Sequence, residues 1–488
     1  MTPFTISRLA CVGLLFSAAQ QASASDWPAG YSKCADEGAT CKVGSTPRSV
    51  SFGIGGNWVT KTLSGNTPCT LATFGTDPDP DRTKKCAVIK TAAPSPSPSP
   101  SPSPSPSPTP SPSPSPSPAP APDDTRSSAP SSGWAGQAGG TRGGADAAAA
   151  VVVASSASEL AAAVHASGVA PRIIKVVGRI DMAAADNGGA FRSTQDQSAR
   201  GELRLPSNTT LVGVGANATL VNASLMIKGV DNVVVRNLTI VNPCDVAPAW
   251  DPSDGSSGNW NSEFDGVTID GARHVWIDHD HFTDLPQTDD LSPVVHGKVK
   301  QCHDGAVDIK NAADYVTVSF NVFDHHDKND LVGSSDSTAS DDGHLSVTFN
   351  DNWFSAITQR APRVRFGKVH LYDNLYSGSK ADPVYPHAYS VGVGYKAKVI
   401  SEQNVFEVAG ANGCASVIDN PGSSSKAGAI VDAGSLLNGA PLVMSQCAMS
   451  ASVGWSVPYD YRSALRAAST VKAWVQSQAG VGKLNVPR

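Results

Sequence analysis

Beyond its first two dozen residues the chain has no apolar run long enough to span a bilayer, which excludes a helical membrane protein. None of its nine cysteines forms a C-x-x-C pair, so structural zinc explains them poorly. There is no basic excess either: the formal net charge of -6 argues against nucleic acid as a partner. These absences leave a soluble, mildly acidic protein whose cysteines need another reason to be there.

The first segment supplies that reason. Met1 to about Ala24 carries Arg8, an apolar run from Leu9 to Ala19 and the A-x-A pattern Ala22-Ser23-Ala24, so residues 1–24 read as a secretory signal peptide. Cys11 does not suit a lipid anchor, because Arg8 stands where an apolar residue is wanted. A secreted, extracellular chain with eight further cysteines is expected to form disulfides. Four of them (Cys34, Cys41, Cys69, Cys86) precede a linker and four (Cys244, Cys302, Cys414, Cys447) follow it. Each group allows three pairings; Cys414 with Cys447 is the one expected.

The linker is the Ser-Pro alternation from Pro94 to Pro122, in which every second residue lacks a backbone N–H, so neither helix nor sheet can form. In polyproline II geometry it would reach roughly 90 Å at about 3.1 Å per residue. Residues 91–132 are therefore assigned to a Pro/Ser-rich linker, residues 26–90 to a small disulfide-stabilised β module, and residues 133–488 to the main domain. The small module has too little apolar burial to fold without cross-links. Its aromatics, Trp27, Tyr31, Phe52, Trp58 and Phe74, form either a sugar-stacking face or a small core.

In the main domain only Ser158 to His165 has helical character. The rest is a succession of short β-branched runs broken by Asn, Asp and Gly. Six of them align: VVVRNLTI from Val233, VWIDHDHF from Val275, VTVSFNVF from Val316, VTFNDNWF from Val347, VHLYDNLY from Val369 and VISEQNVF from Val399. In the last five the sixth position is Asp280, Asn321, Asn352, Asn374 and Asn404, and the eighth is Phe282, Phe323, Phe354, Tyr376 and Phe406. The starts are irregularly spaced, so one turn recurs with loops of variable length inserted. Stacked rungs explain both columns, with amides satisfying turn backbone and rings filling the interior. The expected fold is all-β: a right-handed parallel β-helix.

Four segments carry candidate chemistry: Glu263-Phe264-Asp265-Gly266, His303-Asp304-Gly305-Ala306-Val307-Asp308, His326-Asp327-Lys328, and Gln359 to Arg365. Rungs about 4.8 Å apart would line these distant segments along one groove. Asp304 and Asp308 can converge on an ion with Asp265 from the next rung. Carboxylate oxygens without thiol or abundant imidazole favour a hard cation, and an open exported site favours calcium over magnesium. If Arg360 to Arg365 is a strand, Arg363 and Arg365 share a face, and paired guanidinium groups suit a carboxylate-bearing substrate.

DGVTIDGARHVWIDH (Asp265 to His279), HDGAVDIK (His303 to Lys310), HDKNDLVG (His326 to Gly333) and QRAPRVRFG (Gln359 to Gly367) together resemble the ordered signature of family 1 pectate lyases. The resemblance implies a parallel β-helix and calcium-dependent β-elimination of polygalacturonate from the plant cell wall, by a monomer without nucleic-acid or membrane partners. Carried over by position, it implies calcium ligands at Asp265, Asp304 and Asp308, with Glu263 as a weaker candidate. It implies a catalytic base at Arg360, substrate carboxylates held by Lys328 and Arg365 with help from Arg363, and structural roles for Asp278 and His279. An arginine base points to an alkaline optimum, since a free guanidinium titrates only at about 12.5 or above.

Three other readings compete. A polygalacturonase would need an acid and a base carboxylate about the cleaved bond; Thr288-Asp289-Asp290 offers adjacent carboxylates, but no Arg-Ile-Lys segment accompanies them. A pectin lyase acting on methylated polymer would have no use for the three aspartates. A non-catalytic β-helix binding protein would have no reason to combine them with Lys328, Arg360 and Arg365.

Overall fold

The computed structural model describes residues 28, 31–55, 57–80, 82–90, 122–146, 148–166, 171–422 and 427–488. The signal segment, Trp27 and the Ser-Pro stretch before Pro122 lie outside the described residues. Chain contacts divide the molecule into two compact units, one on each side of that stretch.

The small unit is an antiparallel sheet in the order Tyr31–Asp36, Lys85–Ile89, Thr40–Ile54, Asn57–Pro68. Disulfides Cys34–Cys41 and Cys69–Cys86 tie its ends. Phe52 and Phe74 stack on each other at 5.1 Å inside its core with Val43 and Val50. That corrects the sugar-stacking alternative for these two rings: in so small a sheet the largest apolar side chains are needed to exclude water. Trp58 is half-buried, and the Tyr31 hydroxyl is hydrogen-bonded to Ser49 Oγ at 2.8 Å.

The large unit is a parallel β-helix built from three sheets of ten, eight and ten strands. One coil runs through Arg273–Asp278, His281–Thr283 and Val307–Lys310, and the next through Asp314–Ser319, Val322–Lys328 and Asp330–Val332. The six aligned runs fall in register as expected: Val233 pairs with Val275, Val275 with Val316, Val316 with Val347, Val347 with Val369, and Val369 with Val399. The aromatic column is a continuous stack, Phe282–Phe323–Phe354–Tyr376–Phe406, with centroids 4.6 to 5.0 Å apart. Each such pair adds about 0.5–1.5 kcal/mol beyond its buried area.

The amide column is a ladder of buried hydrogen bonds. Asn321 Nδ2 donates to Asn352 Oδ1 and to the Ile277 carbonyl, Asn352 Nδ2 to Asn374 Oδ1 and the Val318 carbonyl, and Asn374 Nδ2 to Asn404 Oδ1 and the Phe349 carbonyl. Asp280 occupies the first rung. Its Oδ1 accepts the Leu238 N–H at 2.8 Å, but its Oδ2 is buried without a partner, and burial raises its pKa well above the ordinary carboxylate range. An amide there would supply the missing donor, opposite the Val235 carbonyl that pairs across from Ile277. A folded pKa above the unfolded value means that the native state loses stability as pH rises from about 4 through the raised value. Asp280→Asn should therefore stabilise the fold by about 1–2 kcal/mol at neutral and alkaline pH, and less in acid. Thermal midpoints across pH check this, and an equal gain at every pH would assign the effect to packing alone.

One helix covers the first coils of the β-helix and another packs along the outer face of one ten-stranded sheet. The helix Ala157–His165, capped by the Ser156 hydroxyl, packs Leu160, Ala163 and Val164 onto the first coils. The helix Ala468–Gln478 lays Val471 and Val475 on Leu375 and Val405. Cys414 and Cys447 are bonded as expected, and Cys244 pairs with Cys302. Residues 122–132, read from sequence as the end of the linker, are packed on this unit instead. Asn485 Nδ2 donates to the Pro122 carbonyl, Asp124 N to the Asn485 carbonyl, and Ala129 N to the Thr141 carbonyl. The Ser-Pro composition stops at Pro122, and beyond it every residue can donate a backbone hydrogen bond except Pro130.

Candidate active site

All four sequence segments meet at one edge of the β-helix, where the chain turns from one ten-stranded sheet into the eight-stranded sheet. Backbone hydrogen bonds stack these turns: Gly266 N donates to the Gly305 carbonyl, Ala306 N to Asn329, Asp330 N to Arg360, and Ala361 N to Ser390. Asp265, Asp304, Lys328 and Arg360 consequently stand on successive rungs, although 95 residues separate the first from the last in sequence. Along the neighbouring strands Thr268, Asp308, Leu331 and Arg363 form one row in register. Val307 and Ile309 point into the core, and period-2 alternation turns Asp308 and Lys310 to the same outer face.

The acidic residues are held by short hydrogen bonds and by Lys310, which lies within 3.5 Å of both Asp265 and Asp308. Asp265 is buried; its Oδ1 accepts the Gly305 N–H at 3.0 Å and its Oδ2 accepts the Thr268 hydroxyl at 2.6 Å. Asp308 is buried with Oδ1 lacking any hydrogen-bond partner. Burial first, and then the charge of Asp265, pushes the Asp308 carboxyl up to about 8. Asp265 is also raised, by burial and by Asp304, against the pull of Lys310. Gly305 completes the cradle: a Cβ there would lie 2.5 Å from Asp308 Oδ1 and 2.9 Å from Asp265 Oδ1, so the glycine leaves room where these two oxygens converge. Converging carboxylate oxygens, one of them orphaned, suit a hard divalent cation.

The cations line the next rungs. Lys328 Nζ lies 3.6 Å from Asp304 Oδ1. Arg360 is not on a strand, contrary to the sequence reading: only Arg363–Val364 is extended, and Arg360 sits in the turn before it at a φ of 61°. Its Nε is buried without a partner, and its charge reaches Asp308. Pro362, which has no backbone N–H to donate, directly precedes that strand. Arg363 and Arg365 flank the buried Val364, so they share the outer face as expected. Burial, then the charges of Arg365 and Arg360, lowers the Arg363 pKa. Arg365 is engaged: its Nε donates to Asp336 Oδ1 at 3.1 Å and its Nη1 to the Gly333 carbonyl at 3.0 Å.

Glu263 is exposed at the rim, with its N–H donated to Asp245 Oδ2 at 2.6 Å. Asp278 is structural, gripped by Arg236, His279 and Ser319. Asp289 does not form half of a hydrolytic pair. It is buried and accepts from Gln301, while Asp290 is exposed and bonded to Thr288.

Two groups of site residues had escaped the sequence reading. Asp245 is one: its N–H donates to the Cys302 carbonyl, and the Cys244–Cys302 bridge brings it beside Asp304. Burial, opposed by the N–H groups of Glu263 and Phe264 and reinforced by Asp304, pushes its carboxyl up to about 7. Nothing local marks this residue; only the disulfide partner would have. The other group is a half-buried bridge of hydrogen bonds between the rungs. Gln301 donates to Asp289 and Asp327, Gln359 donates to Asp327, and the Tyr389 hydroxyl donates to Gln359. His326 below it bonds Asp284 at 2.7 Å; burial opposes its charge, but Asp284 outweighs that and pushes the ring up to about 9. The bridge ties together the backbone that carries Asp304, Lys328 and Arg360.

A family profile described as pectate lyase matches residues 122–484. The chain belongs to the pectate lyase family. It is 44% identical to a pectate lyase of Bacillus subtilis over 295 residues, covering 60% of this chain and 69% of that one. Pectate lyase D of Dickeya chrysanthemi is 42% identical over 367 residues, 73% of this chain and 90% of the relative. Among solved structures, a pectate lyase bound to a hexasaccharide superposes with a TM-score of 0.70 at 37% identity, covering 74% of this chain and 99% of that one. The matched residues begin at 122, where the chain first packs on the β-helix.

Proposed function

We propose that this protein is a secreted, calcium-dependent pectate lyase that cleaves polygalacturonate by β-elimination. The observation that carries the reading is the stacking of Asp265, Asp304 and Asp308 beside Lys328 and Arg360 on consecutive rungs. Asp265, Asp304 and Asp308 would hold the calcium ion, with Asp308 Oδ1 as the oxygen in need of a partner. Bound there, calcium supplies a Lewis-acid contact to a substrate carboxylate.

The remaining work belongs to the chain. Lys328, Arg363 and Arg365 hold galacturonate carboxylates and counter the negative charge that grows on one of them as the C5 proton leaves. Arg365 can do so without leaving its Gly333 carbonyl. Arg360, having first given a proton to solvent, takes the C5 proton; the electron pair forms the C4–C5 double bond, and the C4–O4 bond breaks. O4 then takes up a proton from solvent, and Arg360 returns its own. No water is consumed, which separates this reaction from hydrolysis.

Incubation of the full chain with polygalacturonate, followed by ultraviolet absorbance of the unsaturated product, tests this directly. Absorbance should rise fastest in alkaline buffer and stop when a chelator is added. Reducing ends without absorbance would identify a hydrolase, and turnover only of methylated pectin would move the specificity to the esterified polymer.

A further inference from the structure

Lys310 has no role in the reading above, yet it makes the closest cationic contacts in the acidic cradle. Its Nζ lies 3.4 Å from Asp265 Oδ2 and 3.5 Å from Asp308 Oδ2, on a side chain that is one quarter exposed. It reaches them because Asp308 and Lys310 project from the same face of one strand, Val307–Lys310. The acid directly across the sheet from Lys310 is Asp270, which is already engaged by Lys228 at 2.9 Å and by Asn311 Nδ2 at 3.0 Å. Lys310 is thus left to the metal cradle.

We infer that Lys310 is a built-in counter-cation that competes with calcium for the oxygens of Asp265 and Asp308, and so sets the calcium concentration at which the site fills. The inference rests on the calcium reading. Two buried carboxylates facing each other repel, and a cation seated between them offsets that repulsion. An ammonium group supplies one charge on a flexible stem, and a divalent ion bound to the same oxygens would repel it at close range. The stem, being long and unbranched, lets the ammonium withdraw toward solvent when calcium arrives. Lys310 is in this sense a competitor for the metal site as well as its placeholder.

Calorimetric titration of the full chain with calcium chloride, alongside thermal midpoints in chelator and in excess calcium, tests the idea without measuring turnover. Lys310→Met should bind calcium roughly tenfold tighter than wild type. Its midpoint should fall in chelator and recover in calcium. Lys310→Arg, which keeps the charge, should bind calcium no more tightly than wild type. Unchanged or weaker binding by Lys310→Met, while wild type binds calcium normally, overturns the counter-cation role and leaves the calcium reading intact. Tightening in both variants also overturns it. Failure of wild type to bind calcium overturns the calcium reading, and this inference with it.

Discussion

Replacing Arg360 with alanine is expected to lower kcat on polygalacturonate by roughly 10²- to 10⁴-fold, the usual contribution of a positioned general base. Polymer binding should change little. The separation follows from where the residue sits. Lys328 is anchored by Asp304 and Arg365 by Asp336 and Gly333, so both can hold substrate without Arg360. Its backbone carbonyl accepts the Asp330 N–H, a bond that alanine can keep, so the stacked turn survives the substitution. The left-handed φ of 61° costs alanine about as much as arginine, since both carry a Cβ. Turnover and affinity for immobilised polymer are the two measurements. Parallel loss of both would reassign Arg360 to holding substrate, and retained turnover would remove it from the chemistry altogether.

Asp308→Ala should raise the calcium concentration needed for half-maximal activity by roughly 10²-fold, a ligand loss being at least as costly as the loss of an outer-shell partner. Asp308 is singled out because its Oδ1 is buried and unpaired, whereas Asp265 spends one oxygen on the Gly305 N–H and the other on the Thr268 hydroxyl. The same substitution removes a carboxylate that repels Asp265 in a buried setting, so thermal stability measured in chelator should hold or rise. That combination distinguishes a damaged metal site from a damaged fold. A variant with the wild-type calcium requirement would show that Asp308 is not a ligand; one that unfolds in chelator would show that its carboxylate supports the coil.

Much of this architecture was legible in the chain because a parallel β-helix repeats one environment at every rung. The Val starts, the Asn column and the aromatic column each recur where the cross-section recurs, and all three pair as expected. The short motifs that hold Asp265, Asp304, Asp308, Lys328 and Arg360 were visible too, and the stacking of coils brings them to one edge. The turn conformation of Arg360 was not visible, because a positive φ at a non-glycine residue leaves no mark on the sequence. The same holds for Phe52 and Phe74, whose burial depends on how a small sheet closes.

The sequence by itself determined the repeat and the Ser-Pro break between the two units, because each is written in local spacing or composition; it left three pairings open for each group of four cysteines, and the structure chose among them. Only the tertiary structure decided that Asp245 stands beside Asp304, that Lys310 grips Asp265 and Asp308, and that residues 122–132 belong to the β-helix. Apart from Lys310 with Asp308, those contacts join positions distant in the chain. They depend on coil stacking, a disulfide and the return of the C-terminal segment, none of which has a period to read.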